Sequence, residues 1–178
     1  MNINNENVSV IIPTYRRPDK LIRAVKSVLN QSYKNIEIIV VDDNGLGTNY
    51  QLTTQKIFLD CFSEKNIYYV PLEKNSGASM ARNIGFNICQ GNYVIFFDDD
   101  DEMLPKMIER LLNKYYTSQY NNLGLVYAQV KNYNDNGLFL SSTKFYSRGI
   151  VLNQIAYDFQ MSAFSCWLIK KDVLIDVG

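Results

Sequence analysis

Four short runs of nearly unbroken apolar residues dominate the first half of this chain, and segments of helical character separate them. The runs are VSVIIP (8–13), IEIIVV (36–41), IYYV (67–70) and YVIFF (93–97). Between the first two, Leu21, Ile22, Val25, Val28 and Leu29 recur at helical spacing, and Pro18 stands near the start, where its missing N–H is harmless. Residues 48–63 read as a helix of weak periodicity. Met80, Ala81, Ile84 and Ile88 mark a further helix, which Gly91 is expected to end. The series is β-α-β-α-β-α-β. Strands that are apolar on both faces need cover on both faces, so the pattern predicts an α/β fold: a mostly parallel sheet flanked by helices and joined by right-handed crossovers. Ligands of such sheets sit at the carboxyl ends of the strands. The residues just after each run are therefore where chemistry is expected.

Beyond residue 102 the pattern changes. Leu104, Met107, Ile108, Leu111, Leu112 and Tyr115 form one helical stripe. LGLVYAQV (123–130) reads as a strand, NDNG (134–137) as a turn, and LFL as a strand pairing back antiparallel. Residues 150–159 read as a short helix and SAFSCWLIK (162–170) as another strand. KDVLIDVG begins a last helix that closes at Gly178. No linker or repeat interrupts the 178 residues, which are expected to form a single domain burying about two-thirds of its unfolded surface.

Charge and composition narrow the function. Lys+Arg and Asp+Glu are 18 each, so the basic face of a nucleic-acid binder is not expected. The chain has no histidine, which excludes a His-based triad or a His-ligated metal within it. Cys61, Cys89 and Cys166 are far apart and form no CxxC pair, as expected of reduced thiols in a cytoplasmic protein. The start, MNINNENV, is polar rather than a signal peptide, and no apolar run approaches the roughly 20 residues that span a bilayer.

The strand ends collect the chemistry. Pro13, Thr14 and Tyr15 follow the first strand, Asp42 and Asp43 the second, and Asp98, Asp99, Asp100 and Asp101 the fourth, with Glu102 extending the acidic run. All should share one rim of the sheet. Carboxylates so close repel one another unless a cation neutralises them. Hard divalent ions such as Mg²⁺ or Mn²⁺ take oxygen ligands, usually one or two carboxylates plus substrate phosphates. The acidic run is thus a candidate metal holder whose other partner is a diphosphate. Each element alone has a plainer reading: a solvated acidic loop, a loop DD pair, a helix surface at RNIG (82–85), a core tyrosine.

In order and spacing, VSVIIPTYRRPDKLIRAVKSVLNQSYKNIEIIVVDDNG, NSGASMARNIGFNICQGNYVIFFDDDDEMLP and CWLIKKDVLIDVG together resemble the family 2 glycosyltransferases of GT-A fold, a Rossmann-like sheet with a smaller mixed acceptor-side part. The first two blocks are specific; the third is suggestive. The resemblance implies a nucleotide-sugar-binding half, 1–102, and a partial acceptor-side half, 103–178. It implies that Pro13, Thr14 and Tyr15 contact the nucleotide base, that the Tyr15 ring stacks on it, and that Asp43 accepts a hydrogen bond from it while Asp42 supports the loop. Arg82 stands where a basic residue approaches the donor, with Lys74 a weaker candidate. The DXD motif contributes Asp98 and Asp99 to nucleotide binding and Asp98, Asp100 and Asp101 to the metal, Mn²⁺ or Mg²⁺; its register is Asp98 with Asp100 or Asp99 with Asp101.

The implied reaction is inverting transfer from a nucleoside diphosphate sugar, a UDP-sugar first, to a glycan or lipid-linked acceptor hydroxyl in surface glycan assembly. The implied setting is cytoplasmic, extending to peripheral contact with the inner face of the membrane. The family's catalytic base lies after the segment resembling VLIDVG; Asp158, Asp172 and Asp176 do not match it, so a chain truncated at its C-terminus is expected. Two rivals remain: a non-catalytic nucleotide-sugar-binding module, and a sugar-phosphate nucleotidylyltransferase, which would want a glycine-rich loop where this chain has PTYRRPD. A receiver-type signalling domain fits worse, because the first strand ends in Pro-Thr-Tyr rather than an acidic pair.

Overall fold

The structure, a computed structural model, describes residues 3–63, 66–120, 122–134, 136–142 and 164–177. The four apolar runs are strands: β1 Val8–Thr14, β2 Ile36–Asp42, β3 Ile67–Pro71 and β4 Tyr93–Phe96. Two more, β5 Leu125–Tyr127 and β8 Trp167–Lys170, complete a six-stranded sheet of order β3-β2-β1-β4-β8-β5. β1 pairs parallel with β2 from Val8↔Ile36 to Thr14↔Asp42, and with β4 from Val8↔Tyr93 to Ile11↔Phe96. β8 runs antiparallel to both β4 and β5. The expected mostly parallel α/β sheet is therefore present, with antiparallel strands at one end. Strand order reverses between β1 and β4, and that is where such sheets open a crevice.

Alternation along β1 sets the two faces. Val8, Val10 and Ile12 pack in one cluster with Leu21, Ala24, Val25 and Val28 of α1 (Pro18–Leu29), Phe58 of α2 (Asn49–Cys61), and Ile108, Leu111 and Leu112 of α4 (Met107–Tyr116). Ile11 packs on the opposite face with Ala81 of α3 (Ala78–Ile88). α3 touches the sheet through small residues, Ala81 and Gly85, while Met80 and Ile88, expected in its buried stripe, are exposed. The reason is distance. A Cβ on Gly85 would stand 2.4 Å from Ile11 Cγ2, so glycine lets the helix lie close to β1.

Other expectations are corrected. α3 ends at Cys89 in extended conformation (φ −68°, ψ 146°), not at a left-handed Gly91. Gly91 instead permits a close approach, because a Cβ there would lie 2.6 Å from the Ser9 backbone nitrogen. Leu104 lies before α4 and is exposed; its carbonyl accepts a bond from the Gln31 amide at 2.8 Å. The expected 123–130 strand is shorter, and the strand that pairs with the LFL segment lies after it. Leu125–Tyr127 joins the main sheet beside β8, and the hairpin is a separate pair, β6 Lys131–Tyr133 with β7 Phe139–Ser142. The last helix, α5, spans Lys171–Val177. The helix expected at 150–159 lies outside the described residues. Among the described residues, no helix is long and apolar enough to cross a membrane.

Candidate active site

At the carboxyl end of the sheet, one cleft of about 280 Å³ opens across the ends of β1, β2 and β4. Pro13, Thr14 and Tyr15 line it from β1, with Arg17 from the following turn. Asp43 comes from the end of β2, Ala78 and Arg82 from α3, and Asp98, Asp99 and Asp100 from the loop after β4. The Asp43 N–H donates to the Thr14 carbonyl at 2.9 Å, which holds the two loops in register.

Four adjacent aspartates have four different environments. Asp98 accepts Arg82 Nη2 at 2.6 Å, and its backbone N–H donates to Ser165 Oγ at 3.1 Å. Asp99 is 2 % exposed and accepts the Thr14 hydroxyl at 2.7 Å, with Arg17 Nη1 at 3.4 Å. Asp100 accepts Arg17 Nη1 at 2.5 Å, with Lys20 at 4.0 Å. Asp101 accepts the Ser165 hydroxyl and does not line the cleft, although the sequence reading placed it with the metal ligands. Burial pushes the Asp99 and Asp101 carboxyls above the ordinary carboxylate value of 3.8; for Asp99, Thr14 and Arg17 oppose the rise.

The pair after β2 divides in the same way. Asp42 is fully buried, off the cleft wall; it accepts the Tyr69 hydroxyl and, at 2.8 Å, the Asn44 N–H. Burial raises its pKa too, despite those bonds. Protonation of such a group suits the fold, so the stability it brings is complete below 3.8 and is lost as pH rises through the raised value. Asp43 faces the cleft, and its two oxygens accept the backbone N–H groups of Ser76 at 2.6 Å and Gly77 at 2.8 Å. It therefore also anchors the loop into α3.

The structure thus gathers Pro13, Thr14, Tyr15, Asp43, Arg82, Asp98, Asp99 and Asp100 in one cleft and leaves Asp42, Asp101 and Lys74 off its wall. Sequence reasoning missed Arg17, Ala78 and Ser165. Arg17 was visible as a cation beside a strand end, but its pairing with Asp100 spans 83 positions. Arg82 Nε is buried with no hydrogen-bond partner among the described residues. Also among them, no cluster of three or more His, Cys, Asp or Glu could by itself hold a metal ion.

Comparison with known proteins agrees with this architecture. The model of Glycosyl transferase family 2 matches residues 9–178. The putative colanic acid biosynthesis glycosyl transferase WcaA of Escherichia coli K12 is 34% identical over 85% of this chain and 57% of its own length. Glycosyltransferase GlyG of Streptococcus pneumoniae is 27% identical over 97% of this chain and 60% of its own. The chain thus spans a little over half the length of these relatives. Two solved structures share the fold. S. aureus TarS 1-349 in complex with UDP-GlcNAc has a TM-score of 0.69 at 22% identity, over 96% of this chain and 47% of that one. Mannosyltransferase PcManGT from Pyrobaculum calidifontis, in complex with GDP-Man and Mn²⁺, has a TM-score of 0.63 at 18% identity, over 97% and 47%. With the family model matching nearly its whole length, this chain belongs to glycosyl transferase family 2.

Proposed function

We propose that this chain carries the donor site of an inverting glycosyltransferase, which moves a sugar from a nucleoside diphosphate sugar, a UDP-sugar first, to an acceptor hydroxyl in surface glycan assembly. The observation that carries the reading is the single cleft joining Tyr15 and Asp43 to Arg82 and the Asp98–Asp100 run. Tyr15 offers a ring for the base and Asp43 an acceptor for its N–H. Arg82 lines the cleft, and its guanidinium, paired there with Asp98, offers a cation to a diphosphate. The relative named for colanic acid biosynthesis and the neighbour bound to UDP-GlcNAc support it.

The residues present fit a divalent ion. Asp98 and Asp100 are half-exposed oxygen donors on the cleft wall, and among the described residues too few carboxylates converge to cage an ion without substrate oxygens. Such a set suits Mg²⁺ or Mn²⁺ shared with a diphosphate, as the Mn²⁺ complex of PcManGT also suggests. Held by Asp98 and Asp100, the ion would supply charge stabilisation for the departing diphosphate. The acceptor hydroxyl would form its new bond to the anomeric carbon as the bond to the diphosphate breaks, with its proton passing to a carboxylate base. Among the described residues we assign no base. Asp172 pairs with Lys170 at 3.0 Å at the start of α5, and Asp158 lies outside them.

Calorimetry with UDP and GDP in Mn²⁺ tests this. The protein should bind at least one; binding of neither overturns the reading. Asp43→Asn should weaken that binding about 5- to 150-fold, since a buried group left unpaired costs about 1–3 kcal/mol. The same substitution sets an NH₂ group against one of the Ser76 and Gly77 N–H donors. It should therefore lower the melting temperature as well, so the fold is not left untouched. Undiminished affinity in the Asn variant would refute the role of Asp43.

A further inference from the structure

We infer that Arg16 is a positioning residue for base recognition, holding the Tyr15 ring at the edge of the cleft; the inference rests on the nucleotide reading of that cleft. Among the described residues, Arg16 is the only non-glycine with positive φ, at 57°. In this left-handed region an L-residue crowds its Cβ against the following carbonyl oxygen, and glycine or asparagine is the usual occupant. The conformation is imposed from outside the turn. The Arg16 N–H donates to Asn44 Oδ1 at 2.8 Å, and the Asn44 amide in turn reaches Thr54 Oγ1 of α2 at 3.4 Å.

The side chain accounts for an arginine where a glycine would cost less. Its guanidinium carbon lies 4.8 Å from the centroid of the Tyr15 ring and 5.0 Å from that of Tyr50, in the first turn of α2. Both distances are within cation–π range. Tyr15 is 36% exposed and lines the cleft. Arg16 ties that ring to α2. With the cation against one side of the ring, the other side is available to a planar base. The strain at residue 16 is thus coupled to ring placement, as expected when backbone strain persists beside a binding site.

The test separates the base from the diphosphate. Arg16→Gly relieves the backbone and removes the cation; Arg16→Asn tolerates the same φ and also removes it. Both variants should keep the melting temperature of the unsubstituted protein or exceed it. Both should bind UDP or GDP in Mn²⁺ roughly 5- to 20-fold more weakly, the share of a stacking contact that depends on ring orientation. Both should bind inorganic pyrophosphate, which has no base, as tightly as before. Unchanged nucleotide affinity overturns the inference. So does an equal loss for pyrophosphate and nucleotide, which would make Arg16 a general support of the loop. If the unsubstituted protein binds pyrophosphate but neither nucleotide, the cleft reading itself fails, and this inference with it.

Discussion

Replacing Asp98 and Asp100 together by alanine should remove the effect of Mn²⁺ on nucleotide binding. With both carboxylates present, UDP or GDP should bind about a hundredfold more tightly in Mn²⁺ than in EDTA, equivalent to ~2.8 kcal/mol. In the double variant the ratio should fall to about one, because no carboxylate of the run that lines the cleft outside the Thr14 contact remains to hold the ion. The two side chains are 38% and 40% exposed, so the fold should survive. Without metal the variant should bind nucleotide no worse than the unsubstituted protein. Arg82 and Arg17 are engaged by these aspartates at 2.6 and 2.5 Å, and their removal frees both cations for phosphate. Asp101→Ala supplies the contrast: its carboxylate bonds Ser165 away from the cleft wall, so the Mn²⁺ ratio should persist. Calorimetry in both buffers decides. A ratio unchanged in the double variant would remove Asp98 and Asp100 from the metal site.

The second large effect lies at the opposite end of the sheet and concerns stability. Glu37 of β2 is 7% exposed, and its carboxylate accepts the Ser9 hydroxyl, the Gln90 N–H at 2.5 Å and the Gly91 N–H at 2.9 Å. It ties the central strand β1 to the segment that leads into β4. Glu37→Ala takes this acceptor from the Ser9 hydroxyl and the Gln90 N–H, leaves the Gly91 N–H only its bond to Ser9 Oγ at 2.8 Å, and opens a void at a buried position. Hydrogen bonds to a charged group contribute about 1.5–3 kcal/mol each, and losing several that share one acceptor is not additive, so about 3–5 kcal/mol is expected. For a domain of this size that lowers the melting temperature by roughly 6–20 °C. Glu37→Gln keeps one acceptor oxygen and should cost clearly less. Thermal melts of the three proteins check the ordering; equal loss for Ala and Gln would mean that volume, not the carboxylate acceptor, matters at this position. Nothing in the spacing of IEIIVV marked Glu37, because its partners stand 28 and more positions away.

The parallel core of the sheet was legible in the sequence because its signal is local. β1 and β2 are apolar on both faces, and that pattern suits a strand covered by helices on both sides whatever its neighbours. The location of the site followed from the same logic, since each strand's polar end residues are adjacent in sequence to its apolar run. The hairpin was less legible. β5 and β6 are three residues each, too short for period-two alternation to say which pairs with β7 and which with β8.

What the sequence determined by itself was the order of elements and the collection of Tyr15, Asp43 and the Asp98–Asp101 run at one rim. What only the tertiary structure decided was the duty of each like residue within those groups. Asp42 and Asp43 are neighbours of one type, yet one meets Tyr69 and the other the loop into α3. Asp98, Asp99, Asp100 and Asp101 meet Arg82, Thr14, Arg17 and Ser165 respectively. Four identical carboxylates carry no local signal that tells them apart. Their roles differ because burial and charge come from partners 16 to 85 positions away, and those distances close only when the sheet forms.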